Sequence, residues 1–353
     1  MKLFALSFLL VFCSSAIAQE ADSVKPKRIK VLPVPAFGYA PETKTYIGAV
    51  ALFTLDLYQD SITRTSNAKI EFNYTWKKQI ITEIQWNYFT RAEKWFTQGL
   101  LHFSKYPDFY YGIGTSMPDS AQISYESDRI KIDVNLLRSI KGNLFTGIGF
   151  RHYSYSAIRS EADLSAFPEL YTRKNTGISA IVLKDQRNNI LTPTKGYYLK
   201  LLGEYNFSSI DYQRITLDAR KYFHWGKKLP QVLSGRLYSN HVIGSAPYYD
   251  LSLIGGDLFV RGYFYGRFRA NNLTTIQSEL RTDLFWRIGL SVFGGYTMIY
   301  DKVSSLNSSN FKPNGGIGLR FMVDKNERTN LRFDYALGQN GQSGFYVSFG
   351  ESF

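Results

Sequence analysis

Residues 68–76 read Ala68-Lys69-Ile70-Glu71-Phe72-Asn73-Tyr74-Thr75-Trp76. In an extended chain Ala68, Ile70, Phe72, Tyr74 and Trp76 fall on one face, and Lys69, Glu71, Asn73 and Thr75 on the other. Only a β-strand alternates side chains with period two, so the stretch predicts a strand that is apolar on one side and polar on the other. After Lys77-Lys78, Ile80, Ile84, Trp86 and Tyr88 face one way and Glu83, Gln85 and Asn87 the other, which predicts a hairpin. The period returns in Ile130, Ile132, Val134 and Leu136 against Lys131, Asp133 and Asn135. It returns again in Tyr197, Leu199, Leu201 and Tyr205 against Lys200, Glu204 and Asn206, and in Leu331, Phe333 and Tyr335 against Arg332 and Asp334. A helix would repeat every three to four residues, and no useful stretch does.

Charges on the polar face argue against a soluble sandwich, whose packed core would not accept them. A membrane-spanning barrel accepts both faces, one toward lipid and one toward a polar lumen. The expected fold is therefore all-β, a transmembrane antiparallel barrel of about sixteen strands running from Val31 to Phe353. Longer loops are expected at 106–125, 156–175, 244–272 and 302–312, pointing outward or into the lumen. Phe345, Val347, Phe349 and Phe353 alternate with Tyr346, Ser348, Gly350 and Ser352 up to the last residue. This ending resembles the C-terminal signal by which bacterial outer-membrane barrels are recognised and inserted. On this reading the last strand pairs with the first and closes the sheet.

The start of the chain fits export. Lys2, the apolar run Leu3 to Phe12 and the small-x-small site Ala16-Ile17-Ala18 read as a signal peptide over residues 1–18, followed by a short periplasmic tail at 19–30. Cys13, the one cysteine, lies inside this leader, and bulky Phe12 before it is a poor context for lipidation. A mature chain without cysteine is neither a disulfide scaffold nor a Cys-ligated metal protein. Aromatics are 16% of the 353 residues, which suits girdles at the two membrane interfaces. The net charge of +13 suits anionic headgroups, so outer-membrane lipid and lipopolysaccharide are expected partners and nucleic acid is not.

One loop carries the most specific motif, Ile254-Gly255-Gly256-Asp257-Leu258-Phe259-Val260-Arg261-Gly262-Tyr263. A second is Asp185-x-Arg187-Asn188-Asn189 followed by Pro193 and Gly196, a strand-turn-strand pattern. A third is Ser278-Glu279-Leu280-Arg281, and Asp108-Phe109-Tyr110-Tyr111-Gly112-Ile113-Gly114 is a fainter one. Together these resemble the BamA/TamA superfamily, the bacterial surface antigens, which includes outer-membrane assembly factors and two-partner-secretion transporters. The resemblance implies that the long loop folds back into the barrel and that Arg261, held by Val260, Gly262 and Tyr263, contacts the inner wall. Glu279 is the implied wall partner, since a guanidinium buried in a lumen needs a carboxylate. The family's next strand carries a second carboxylate, but here it reads Phe293-Gly294-Gly295-Tyr296-Thr297, and Asp301 is too far along. The lock is thus expected to be weaker or rewired. The family's periplasmic domains find no room between Gln19 and Val31, so a barrel-only member is expected, with a separate periplasmic partner to supply them.

Enzyme chemistry finds no constellation. His102, His152, His224 and His241 are scattered, without metal-ligand spacing, and no nucleophile elbow occurs. No catalytic residue, metal or cofactor is expected. The leading expectation is a barrel that assists outer-membrane protein assembly or translocation, itself inserted by the barrel assembly machinery. The alternative is a plugged transport pore or a structural, lipid-homeostasis barrel.

Overall fold

The computed structural model describes residues 29–353 apart from 41–43, 59, 61, 77, 116–121, 209, 227–228, 258 and 326–327. The expected signal peptide lies outside the described residues. The first strand begins at Ile29 rather than Val31.

Alternating sequence becomes sixteen strands. They are β1 (Ile29–Ala40), β2 (Lys44–Leu55), β3 (Ser66–Thr75), β4 (Ile80–Phe89), β5 (Trp95–Tyr110) and β6 (Ile123–Lys141). Then come β7 (Leu144–Ser160), β8 (Arg173–Asp185), β9 (Gly196–Ser208), β10 (Tyr212–Trp225) and β11 (Gln231–Gly244). The last are β12 (Asn272–Phe285), β13 (Ile288–Tyr300), β14 (Phe311–Asp324), β15 (Thr329–Leu337) and β16 (Ser343–Phe349). All lie in one sheet in chain order, each antiparallel to its neighbours. The hairpin read from 68–88 forms with Ile70 opposite Ile84 and Ala68 opposite Trp86.

Because successive strands alternate direction, the connections after odd-numbered strands share one end. The described parts of the segments after β5, β7, β11 and β13, which include 111–115, 161–172 and 301–310, all lie there. The other end carries β1's start, β16's end and tighter turns such as Gly142-Asn143. There Trp95, Trp225 and Trp286 stand exposed at strand ends, as an interfacial aromatic girdle requires. The faces sort cleanly. Ile276 and Ile317 are 64% and 63% exposed on the outside, while Arg332 and Asp334 are 0% exposed within. That inversion is favourable only when lipid surrounds the sheet.

The lumen is not polar throughout. Phe89, Phe96, Leu137, Phe145, Ile181, Leu183 and Tyr198 form a buried apolar cluster inside β4 to β9. Ile190, from the β8–β9 turn, packs against it. Strand alternation alone predicts polar residues here; the turn folds beneath the wall and dries it.

Two expectations fail at the seam. Among the described residues no ladder joins β1 to β16, so the last strand does not close the sheet. And Phe353 is not a strand residue. β16 ends at Phe349, Gly350 takes φ +73°, and the chain turns inward. The Glu351 amide donates to the Leu191 carbonyl at 2.8 Å, and its carboxylate accepts from Arg320 at 2.9 Å and Asn330 at 2.8 Å. Phe353 is left 4% exposed, off the sheet and away from lipid. The physical reason is the buried Arg320, which holds Glu351 inside.

Candidate functional site

The β11–β12 loop, 245–271, turns into the lumen instead of projecting from it. A two-residue ladder, Ser252–Leu253 against Arg269–Ala270, braces its base. Ile254, Val260, Tyr263, Phe268 and Ala270 bury with Leu273 and Ile299 of the wall. Gly262 adopts φ +100°, and a Cβ there would lie 2.6 Å from the Leu337 carbonyl carbon. Only glycine lets the loop tip lie this close to β15.

That approach delivers Arg261, 2% exposed, to the wall. Its guanidinium donates to Glu279 Oε2 on β12 at 2.6 Å and also to Asp334 Oδ2 on β15. It lies 3.4 Å over the Phe293 ring of β13. The Arg261 carbonyl accepts from Asn314 at 2.9 Å, and the Gly262 amide donates to the Tyr346 hydroxyl of β16 at 3.0 Å. Tyr263 donates to the Pro313 carbonyl at 2.6 Å. The tip therefore touches five consecutive strands, β12 to β16.

The carboxylates are shared. Arg320 of β14 donates to Glu279 at 3.0 Å, to Asp334 at 2.6 Å and to Glu351 at 2.9 Å. Arg281 lies 3.7 Å from Glu351, and Arg332 lies 3.5 Å from Asp334 and 3.4 Å from Asp257. Arg261, Arg281, Arg320 and Arg332 thus face Asp257, Glu279, Asp334 and Glu351, a charge-balanced network. Such pairing is what lets charges persist where water is scarce. The rewired lock has a simple form: the second carboxylate sits on β15, not on the strand after Glu279. Asp301 instead accepts from the Asn271 amide at 3.0 Å, at the loop's exit.

A second anchor, outside the motifs, holds the loop's entry. Asp250 is bonded to Arg151 of β7, and accepts from Asn175 of β8 at 3.1 Å. Arg151 also donates to Glu204 of β9 at 2.8 Å. Tyr248 and Tyr249 enter a cluster with Tyr110, Tyr125, Tyr155 and Leu170, with Tyr155 and Tyr249 stacked at 4.1 Å. No motif marks Asp250. The available signal was that Arg151 and Glu204 sit in strands at lumen phase.

The strand-turn motif lies at the opposite end. Arg187 donates to Asp185 at 2.9 Å, with its guanidinium 4.5 Å over the Tyr198 ring. Asn188 accepts from the Thr194 and Lys195 amides at 3.0 and 2.9 Å, closing the turn before Gly196, at φ +98°. The Pro193 carbonyl accepts from Arg281 at 2.8 Å, so this turn joins the lumen network. Phe345 points outward at 60% exposure, and Val347 and Phe349 share its face. Asp108 pairs with Arg129 at 2.8 Å. The four histidines are not brought together. His102 bonds Glu83 and Ser104, His152 bonds Thr176, and His241 bonds Ser239 and Asn272.

Residues 61–353 match the model of the Omp85 superfamily domain. Among solved structures, BamA from Haemophilus ducreyi lacking POTRA domains 1-3 is similar at 14% identity and a TM-score of 0.54. The match covers 91% of this chain and 69% of that one. CdiB from Acinetobacter baumannii is similar at 13% identity and a TM-score of 0.56, over 92% of this chain and 58% of that one. At these identities the likeness is one of fold. No curated protein matches the chain.

Proposed function

The chain belongs to the Omp85 superfamily, and from that premise we propose that it acts on other outer-membrane proteins, assisting their assembly or translocation. The observation that carries this reading is the seam. Among the described residues β1 and β16 stand as two sheet edges without a ladder between them. Unpaired backbone groups in lipid cost several kcal/mol each, so a passive channel gains by closing its sheet. Open edges fit a barrel that receives strands or thins the bilayer beside it. The loop supports the same reading, because its tip fastens β12 to β16 into one rigid wall that ends at the seam.

A plugged pore is the second reading, and the loop packed against the lumen wall favours it. Between Arg129, Tyr155, Tyr249 and Arg269 the void left beside the loop is about 10 Å³, room for a single water. The protein, reconstituted in lipid vesicles, is mixed with a urea-diluted, unfolded barrel, and folding of the latter is followed by its gel shift. Faster folding than in empty vesicles is the expected result. No acceleration, together with a large conductance once the loop's anchors are removed, sinks the assembly reading and leaves the pore.

A further inference from the structure

Charge balance fails at one place in the lumen. Where the base of the loop meets β5, β6 and β7, the void of about 10 Å³ is lined by Asp108, Arg129, Lys131, Tyr155, Tyr249 and Arg269, among others. Asp108 is the one carboxylate there among the described residues, and it is engaged. Its Oδ2 accepts from Arg129 at 2.8 Å and from the Tyr125 hydroxyl at 3.3 Å, and its Oδ1 from the Phe109 amide at 2.8 Å. Lys131 and Arg269 are left without a carboxylate. The Lys131 ammonium lies 5.7 Å from the Tyr153 ring and 5.8 Å from the Tyr155 ring, contacts that attract a cation without neutralising it. Arg269, 3% exposed, lies 4.3 Å over the Tyr248 ring and donates from Nη1 to the Tyr248 carbonyl at 3.3 Å. Its buried Nε–H has no acceptor, and the buried Tyr249 hydroxyl has no partner either.

The unanswered groups share one character. An ammonium and a guanidinium N–H only donate, and the Tyr249 hydroxyl is free to donate. A water accepts from two of them and leaves both cations uncompensated. An anion accepts from all three and supplies the missing charge, which is what buried cations require. We propose that this void is a binding site for a chloride-sized halide, held by Lys131 of the wall and by Tyr249 and Arg269 of the loop. Its size sets the class, because a space of about one water has no room for a phosphate or a carboxylate. Tyr249 stands on the loop's entry and Arg269 on its exit, where the ladder Ser252–Leu253 against Arg269–Ala270 joins the two legs. The ion therefore fastens both legs to β6, a tie separate from those made by Asp250 and Arg261. The site does not depend on the assembly function proposed above.

The test follows the gel-shift temperature of the purified protein in sodium gluconate, chloride or bromide at one ionic strength. Chloride and bromide should each raise it by several degrees over gluconate, with saturation, because a ligand bound by the folded state alone stabilises it by mass action. Lys131→Met and Arg269→Gln should each abolish the rise. Tyr249→Phe, which removes only a hydroxyl, should increase the half-saturating halide concentration several-fold, and it keeps the test decisive if the charge variants do not fold. Arg159→Gln, at a half-exposed arginine on the same side of the barrel, should keep the full rise. In crystals grown with bromide, an anomalous scattering peak is expected between Lys131 and Arg269. Equal temperatures in gluconate and halide with no bromide peak, or a rise that all the site variants retain unchanged, overturn the proposal.

Discussion

Arg261 gives one guanidinium to carboxylates on two strands that are not neighbours, Glu279 on β12 and Asp334 on β15. Removing one partner of a buried pair costs roughly 3–5 kcal/mol because the other charge stays behind. Here Arg320 still serves both carboxylates when Arg261 is lost, so Arg261→Ala should fall at the low end. Arg320 serves Glu279, Asp334 and Glu351, so Arg320→Ala should be the more damaging. The gel-shift temperature in detergent ranks them, and the reverse order would count against a shared network. Arg261→Ala with Glu279→Ala should cost less than the sum of the singles, since both break one contact. Lys at position 261 should rescue only in part, lacking the planar fork. At this scale the sequence marked Arg261 and Glu279 through the motif. Asp334 was legible only as a lumen-phase residue between Phe333 and Tyr335. Which distant strands meet across a lumen depends on how the loop fills it, and no local pattern records that.

At the scale of elements, the alternation that marked the strands also set the limits of the reading. It found the 68–88 hairpin because each strand declares its own faces. It could not find the end of β16, since Gly350, Glu351, Ser352 and Phe353 keep the alternation after the backbone has left the sheet. The apolar cluster around Phe145 and Leu183 was hidden for another reason: the β8–β9 turn folds beneath the wall and covers it, which strand alternation does not record. The tail nonetheless makes a firm prediction. Phe349→Ser with Phe353→Ser should lower the folded amount recovered in the outer membrane. Deleting Phe353 alone should lower the gel-shift temperature, because its ring is buried inside the barrel. Unchanged yield and unchanged temperature would argue that the tail is idle. At the loop tip, Gly262→Ala places a methyl against the β15 backbone, so the segment 245–271 should become protease-sensitive in the folded barrel. Equal resistance in both proteins would mean that β15 yields instead.

For the whole molecule, two anchors on opposite walls divide the work. Asp250 ties the loop's entry to β7 and β8, and Arg261 ties its tip to β12 and β15. Breaking either alone should leave conductance in planar bilayers low, since the other still holds the segment inside. Asp250→Ala combined with Arg261→Ala should open large currents; silence from the double variant would show that packing alone retains the loop. The intact protein should give β-type circular dichroism and a gel shift on boiling, and a helical spectrum would refute the architecture. The inward tail carries a consequence for the order of assembly. Glu351 docks on Arg320, and Arg320 is oriented by Glu279 and Asp334, the two carboxylates that also hold Arg261. Residues 350–353 thus complete a socket whose other parts come together when the loop has entered. A copy whose loop stays outside keeps a loose C-terminus, the kind of end that proteases seize. The tail is in that sense a seal of completion: a variant whose loop is held outside should lose residues 350–353 to an added protease, and the intact protein should keep them.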